Sequence, residues 1–285
     1  MSPGAMTGEN TSQAESGACE LRGSRLLCEV DDYDPPGFCA VAAHFGDARY
    51  GYVVTPNVDH LLRLYDDPGF RGLYGSASYV LLDSRVIALT LQLVRRQRLR
   101  VCTGSDLTAA LFAQVVAPAD RIVVVGGTAG QARALAARYG LTNLRHHEPP
   151  MGFIQDAAAT EACLRFIEQA APFRFCFLAV GSPQQELLAQ RLRTRGIAKG
   201  LALCVGAALN FITGVERRAP RWMQRAAFEW LYRLANDPAR LARRYLIRGP
   251  RIFALLLANR LTLRSRRADP AHLTGGSAPV SDSDP

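Results

Sequence analysis

The sequence predicts an α/β protein, a Rossmann-like, mainly parallel sheet with helices on both faces, followed by a C-terminal basic helical appendage. Between about residues 50 and 213, short runs rich in Val, Ile, Leu and aromatic residues alternate with segments of helical spacing. That order is what right-handed βαβ crossovers produce. Every polar cluster of interest falls where a strand hands over to its helix, and after Gly214 the strand-like runs cease while arginine accumulates.

The strands are expected at 52–54, 79–82, 122–125, 175–180 and 201–205. Helices are expected at 58–74, 84–95, 106–116, 129–139, 184–195 and 207–213, and in the appendage at 222–235, 238–247 and 250–263. The dipeptides Asp237-Pro238 and Gly249-Pro250 separate the last three, because proline starts a helix but does not continue one. The resulting division is a core over 19–214 and a basic appendage over 215–267. Polar tails over 1–18 and 268–285 lack apolar periodicity and are expected to be disordered.

A chain of 285 residues suits one large domain with a small addition. Apolar residues at 48% and charged residues at 21% match soluble globular averages, which excludes collagen-like and disulfide-scaffold classes. No uncharged apolar run reaches the roughly 20 residues of a membrane-spanning helix. The N-terminus lacks a basic start followed by an apolar stretch, so a cytoplasmic location is expected. Seven cysteines, odd in number and without CxxC spacing, read as reduced thiols and small core residues.

Charge is unevenly placed. From Glu216 to Arg267 there are fourteen arginines against three acids, a surplus of +11, which leaves the rest of the chain at −2. Such a segment can attract nucleic acid, an anionic membrane or a diphosphate substrate. Nucleic acid is disfavoured because no recognition motif is present. The apolar-plus-arginine stretch 250–264 suits a lipid interface, and equally a helix packed on the core with a solvated arginine face.

Five corners should share one rim: Thr55-Pro56-Asn57, Asp83, Gly126-Gly127-Thr128, Gly181-Ser182-Pro183-Gln184-Gln185-Glu186, and Gly206-Ala207-Ala208-Leu209-Asn210. Ligands of such sheets bind at the carboxyl ends of the strands, where glycine lets backbone approach and free N–H groups attract phosphate. The set points to a nucleotide or sugar-phosphate site. No dinucleotide fingerprint or P-loop is present. Asp83, emerging from Tyr79-Val80-Leu81-Leu82, reads either as a general base with a raised pKa or as the N-cap of the following helix. His146-His147-Glu148 invites a metal reading, but adjacent side chains seldom converge on one ion and no second ligand pair follows. No metal or other cofactor is called for.

In order along the chain, Val54-Thr55-Pro56-Asn57, Leu82-Asp83, Gly104-Ser105-Asp106-Leu107, Val125-Gly126-Gly127 and Pro149-Pro150-Met151-Gly152-Phe153 are followed by Gly181 to Glu186 and Val205-Gly206-Ala207. Arg218-Ala219-Pro220-Arg221-Trp222-Met223-Gln224 comes next and runs on through Phe228-Glu229-Trp230-Leu231-Tyr232-Arg233-Leu234 and Pro238-Ala239-Arg240-Leu241. From about residue 50 to 248 this ordered set resembles the WecG/TagA/CpsF family of bacterial glycosyltransferases, glycosyltransferase family twenty-six.

The resemblance implies an inverting, metal-independent transfer of a sugar from a nucleotide donor, usually a UDP-sugar. The acceptor it implies is a polyprenyl-diphosphate-linked sugar, and the products feed surface polysaccharide or exopolysaccharide assembly. The family's proposed base falls on Asp83. Its Thr-Pro-Asn corner falls on Thr55 and Asn57 and its donor-contacting Gln on Gln185. Three arginines thought to neutralise diphosphate fall on Arg233, Arg240 and Arg243. Ser84 stands where the family often has Gly, and Asn210 where it usually has Asp; an amide cannot act as a base. The expected location is peripheral, on the inner face of the cytoplasmic membrane, with Arg264, Arg266 and Arg267 serving attachment alone. A non-catalytic accessory subunit of a membrane glycosyltransferase is the alternative, and a homo-oligomer stays open.

Overall fold

The computed structural model describes residues 25–266, with the side chains of Arg225, Arg240 and Arg244 outside the described set. The expected tails, 1–18 and 268–285, lie outside it as well. The strands are β1 (Arg25–Asp31), β2 (Tyr50–Val54), β3 (Tyr79–Val80), β4 (Ile122–Val125), β5 (Leu144–His147), β6 (Phe175–Leu178), β7 (Gly200–Cys204) and β8 (Leu261–Arg266). The core helices are α1 (Pro35–His44), α2 (Val58–Asp66), α3 (Pro68–Gly75), α4 (Arg85–Arg95), α5 (Gly104–Gln114), α6 (Ala129–Tyr139), α7 (Ala157–Gln169), α8 (Gln184–Arg195) and α9 (Ala208–Ile212). Then come α10 (Arg221–Arg225), α11 (Glu229–Asn236), α12 (Pro238–Ala242), a π-helical stretch Arg243–Arg248, and α13 (Gly249–Leu257).

Six strands form one parallel sheet in the order β3-β2-β7-β6-β4-β5. Side chains alternate between its faces. Tyr52, Val54, Val123, Val125, Cys176 and Leu178 pack on one side, against α2, α3, α4, α7 and α8. Val53, Ile122, Val124, Phe175, Phe177 and Leu203 pack on the other, against α1, α5, α6 and α9. Both faces are covered, as the α/β prediction requires. The connection leaving β4 runs to β5 on one side and that leaving β6 runs to β7 on the other, so a crevice opens between their carboxyl ends. The cysteines among the described residues are free and, except for the half-buried Cys28, buried.

Several expectations are corrected. The helix expected over 58–74 is two, because Asp67 ends α2 and caps α3 ahead of Pro68. The helix expected over 222–235 breaks at Ala227, whose φ is +62°. The third appendage helix stops at Leu257: Asn259 turns left-handed at φ +54°, and residues 261–266 become strand β8, paired in parallel with β1. Leu261 and Leu263 alternate into the core there, together with Ile252 and Leu256 of α13. The end of the 215–267 segment is therefore built into the core, with one face of its last helix packed there through Ile252 and Leu256 and the other carrying exposed Leu257. Strands β1 and β5 and helices α1 and α7 had no counterpart in the expected elements.

Candidate active site

Parallel strands put their carboxyl ends on one rim, so Asn57, Asp83, Thr128, Gln185 and Asn210 all emerge there. A cavity of about 390 Å³ opens at the β2–β3 end of this rim and is roofed by the C-terminal helices. Asn57, Asp83, Arg85 and Thr103 line it from the core; Glu229, Trp230, Arg233, Tyr245 and Phe253 line it from above.

Asp83 is not the helix cap. Ser84 holds that position, its Oγ accepting from the Ile87 N–H at 3.3 Å. The Asp83 carboxylate is left to the cavity, and its pKa is pushed up to about 7. Burial is the main cause; the Glu229 and Asp106 carboxylates add to it, while the Arg233 charge and the Gly104 N–H oppose it. Gly104 is closely approached: a Cβ there would stand 3.2 Å from Thr55 Oγ1, a tight contact, and 3.8 Å from Asp83 Oδ2.

A run of alternating charges leads away from Asp83. Arg233 donates to Glu229 at 2.6 Å, and the other Glu229 oxygen lies 4.0 Å from Arg218. Arg218 donates to Asp106 at 2.6 Å, and Asp106 also accepts from Thr103 at 2.8 Å and Arg85 at 3.1 Å. Burial works to raise the Asp106 pKa, but the Arg218 hydrogen bond and charge prevail and hold it below the usual carboxylate range.

The other expected site residues divide. Asn57 reaches the cavity while its side-chain oxygen caps α2, accepting from the Asp59 and His60 N–H groups. Thr55 lies just beneath, donating to the Cys204 carbonyl at 3.2 Å. Gln185 is buried, its oxygen accepting from the Gly206 N–H and its amide nitrogen donating to Glu186, both at 2.9 Å. Asn210 accepts from Gln131 at 2.8 Å and donates to Glu216 at 2.9 Å. Neither Gln185 nor Asn210 is among the residues lining the cavity. Arg243 is exposed on the π-helical stretch, and the Arg240 side chain lies outside the described residues.

The histidine pair sits on edge strand β5, where neighbouring side chains point to opposite faces. His146 Nε2 donates to the Gly126 carbonyl at 3.1 Å, and His147 stacks on Phe166 at 5.1 Å. The two rings do not converge on one ion, and no group of three or more metal-ligating side chains occurs among the described residues.

Sequence reasoning did not assign roles to Asp106, Arg218, Glu229 or Phe211. The first three lie inside the quoted motifs, but the pairing of Asp106 with Arg218 spans 112 positions and leaves no local signal.

The model of the glycosyl transferase WecG/TagA/CpsF family matches residues 25–266. The chain belongs to this family. It is a glycosyltransferase, and the WecG/TagA/CpsF family serves polysaccharide biosynthesis. The match begins on β1 and ends on β8, so the paired outer strands belong to the WecG/TagA/CpsF unit along with the six-stranded sheet. Transfer of a sugar from a nucleotide-sugar donor to an acceptor is thus the general chemistry of the family. Among the described residues no helix is long and apolar enough to cross a membrane.

Proposed function

We propose that this glycosyltransferase moves a sugar, with inversion and without a metal ion, from a UDP-sugar to a polyprenyl-diphosphate-linked saccharide during surface polysaccharide or exopolysaccharide assembly. The observation that carries this reading is Asp83, a half-buried carboxylate with a pKa near 7 in a cavity faced by Arg233. In a single displacement the acceptor hydroxyl attacks the anomeric carbon, Asp83 takes the hydroxyl proton, and the bond to the nucleoside diphosphate breaks on the opposite side. A pKa near working pH lets a base be both ionised and strong enough to accept that proton. Charge growing on the departing diphosphate needs fixed cations, which Arg233 and Arg218 supply through planar, permanently charged donors. Arg243, exposed on the π-helical stretch, adds positive charge to the same C-terminal segment. The crevice between Gly126-Gly127 and Gly181 suits the donor nucleotide.

A lipid-linked acceptor calls for a membrane-facing surface. Residues 84–105 and 238–266 contain no Asp or Glu, and they meet where Arg95 of α4 donates to the Leu256 and Leu261 carbonyls at 2.9 and 2.8 Å. Around this junction Leu89, Leu93, Leu246, Ile247 and Leu257 are exposed. Apolar side chains amid arginines match an anionic lipid interface.

The test is an assay of UDP-sugars against polyprenyl-diphosphate-sugar acceptors, read by mass, with wild-type and Asp83→Asn protein. Product formed by wild type alone supports the reading. Failure of every donor, together with stimulation of a partner enzyme, would make the protein an accessory subunit instead.

A further inference from the structure

Arg218 and Arg233 lie over one aromatic ring, their guanidinium carbons 5.9 Å and 5.3 Å from the Phe211 centroid. Two cations on one platform repel each other, and the Glu229 carboxylate bridges them, 2.6 Å from Arg233 and 4.0 Å from Arg218. Three buried guanidinium nitrogens have no hydrogen-bond acceptor: Nε and Nη2 of Arg218, and Nε of Arg233. Donors fixed on planar cations match phosphoryl oxygens, which carry more charge and more lone pairs than one carboxylate offers.

We propose that Glu229 is a positioning residue: it holds the place of a substrate diphosphate between Arg218 and Arg233, and it keeps Arg233 off Asp83 until the diphosphate arrives. This rests on the reading of Asp83 as the base. Asp83 is faced by Arg233 and Glu229 of α11, by Asp106 and the Gly104 N–H of α5, and by the Cys102 thiol. Asp106 is already engaged by Arg218, Arg85 and Thr103, which leaves Glu229 as the carboxylate in contact with Arg233. With Glu229 neutral, the Arg233 charge is uncompensated and turns to the other carboxylate that acts on it, Asp83. The base is then held ionised to lower pH and is weaker. Arg218 becomes a substrate-facing cation, a role the resemblance did not give it.

The experiment titrates UDP and farnesyl diphosphate separately into wild type, Glu229→Gln, Glu229→Asp and Arg218→Met, and records turnover against pH. Removing the placeholder charge should tighten one diphosphate by about three- to tenfold, and the arm that tightens names the nucleotide or the prenyl source. The acid limb of turnover should move to lower pH in Glu229→Gln and stay near wild type in Glu229→Asp, which keeps the charge. Arg218→Met should weaken the same diphosphate by about tenfold. Unchanged or weaker affinity in both arms for Glu229→Gln, or an unmoved acid limb, overturns the proposal. An acid limb that persists in residual Asp83→Asn turnover would instead refute the base assignment, while the binding arms still judge the placeholder.

Discussion

Arg266 grips Asp31 through two hydrogen bonds, Nε to Oδ1 at 2.6 Å and Nη2 to Oδ2 at 2.8 Å, and the same Oδ2 accepts the Val80 N–H at 2.8 Å. One buried carboxylate thus ties β8 to β3, the strand that ends three residues before Asp83. The expectation that Arg266 serves only attachment is wrong on this geometry; Arg264, 3.6 Å from Glu29 at an exposed position, is the looser contact, and Arg267 lies outside the described residues.

Arg266→Met should therefore lower stability by about 2 kcal/mol, since it strands the buried Asp31 while its own side chain was partly open to solvent. Arg264→Met should change stability by less than about 1 kcal/mol. Urea unfolding midpoints of the two variants check this, and equal midpoints would remove the clasp.

Asp83→Asn should reduce turnover by about 10²- to 10⁴-fold while donor binding survives. The same substitution should stabilise the protein in alkali. The unfolded chain loses this proton near pH 4 and the folded chain near 7, so the folded state binds more protons between them and stability falls as pH rises across that window. Above pH 7 the ionised group costs on the order of 1–3 kcal/mol, which Asn avoids. Melting curves at pH 4 and pH 8 check the sign: the variant should gain at pH 8 and not at pH 4.

Leu89→Ser with Leu93→Ser should weaken sedimentation with phosphatidylglycerol vesicles by about thirtyfold, each leucine contributing on the order of 1 kcal/mol. Turnover with a soluble short-chain acceptor should be unaffected, because Ile87 and Leu91, not these two, face the core. Unaltered sedimentation would place the lipid contact elsewhere.

Gly126→Ala should raise the KM for donor and cost about 1–3 kcal/mol of stability. The residue holds φ +98°, and a Cβ there would stand 2.7 Å from the Ala179 carbonyl oxygen across the β4–β6 crevice. A variant with wild-type melting and donor KM would show that the crevice accommodates the change and is not the donor site.

What could be read in advance depended on how local the cause is. Strand β4 and helices α6 and α8 occupy the expected residues because an apolar run or a helical period is complete within each. Strand β8 was misread since Leu261, Thr262 and Leu263 continue a helical pattern until partners at the other end of the described chain, Arg25, Leu26 and Cys28, claim them. At the site, Asp83 was legible with capping as its rival, and one neighbouring hydroxyl, Ser84, takes the cap instead. Gln185 and Asn210 were found by motif, but nothing in their spacing shows that their amides are engaged within the protein.

The pairing of β1 with β8 also bears on how the molecule is made. A contact between residues so far apart in sequence closes late, because the entropy of the long loop opposes it until the intervening sheet has formed. During synthesis the backbone edge of β1 must wait unpaired until the last described residues have emerged, although Leu27 and Val30 can already pack with the earlier core. A chain shortened before Leu261 would keep that edge open permanently and be prone to pair with its copies, so removing the basic C-terminal segment is a test of solubility before it is a test of attachment.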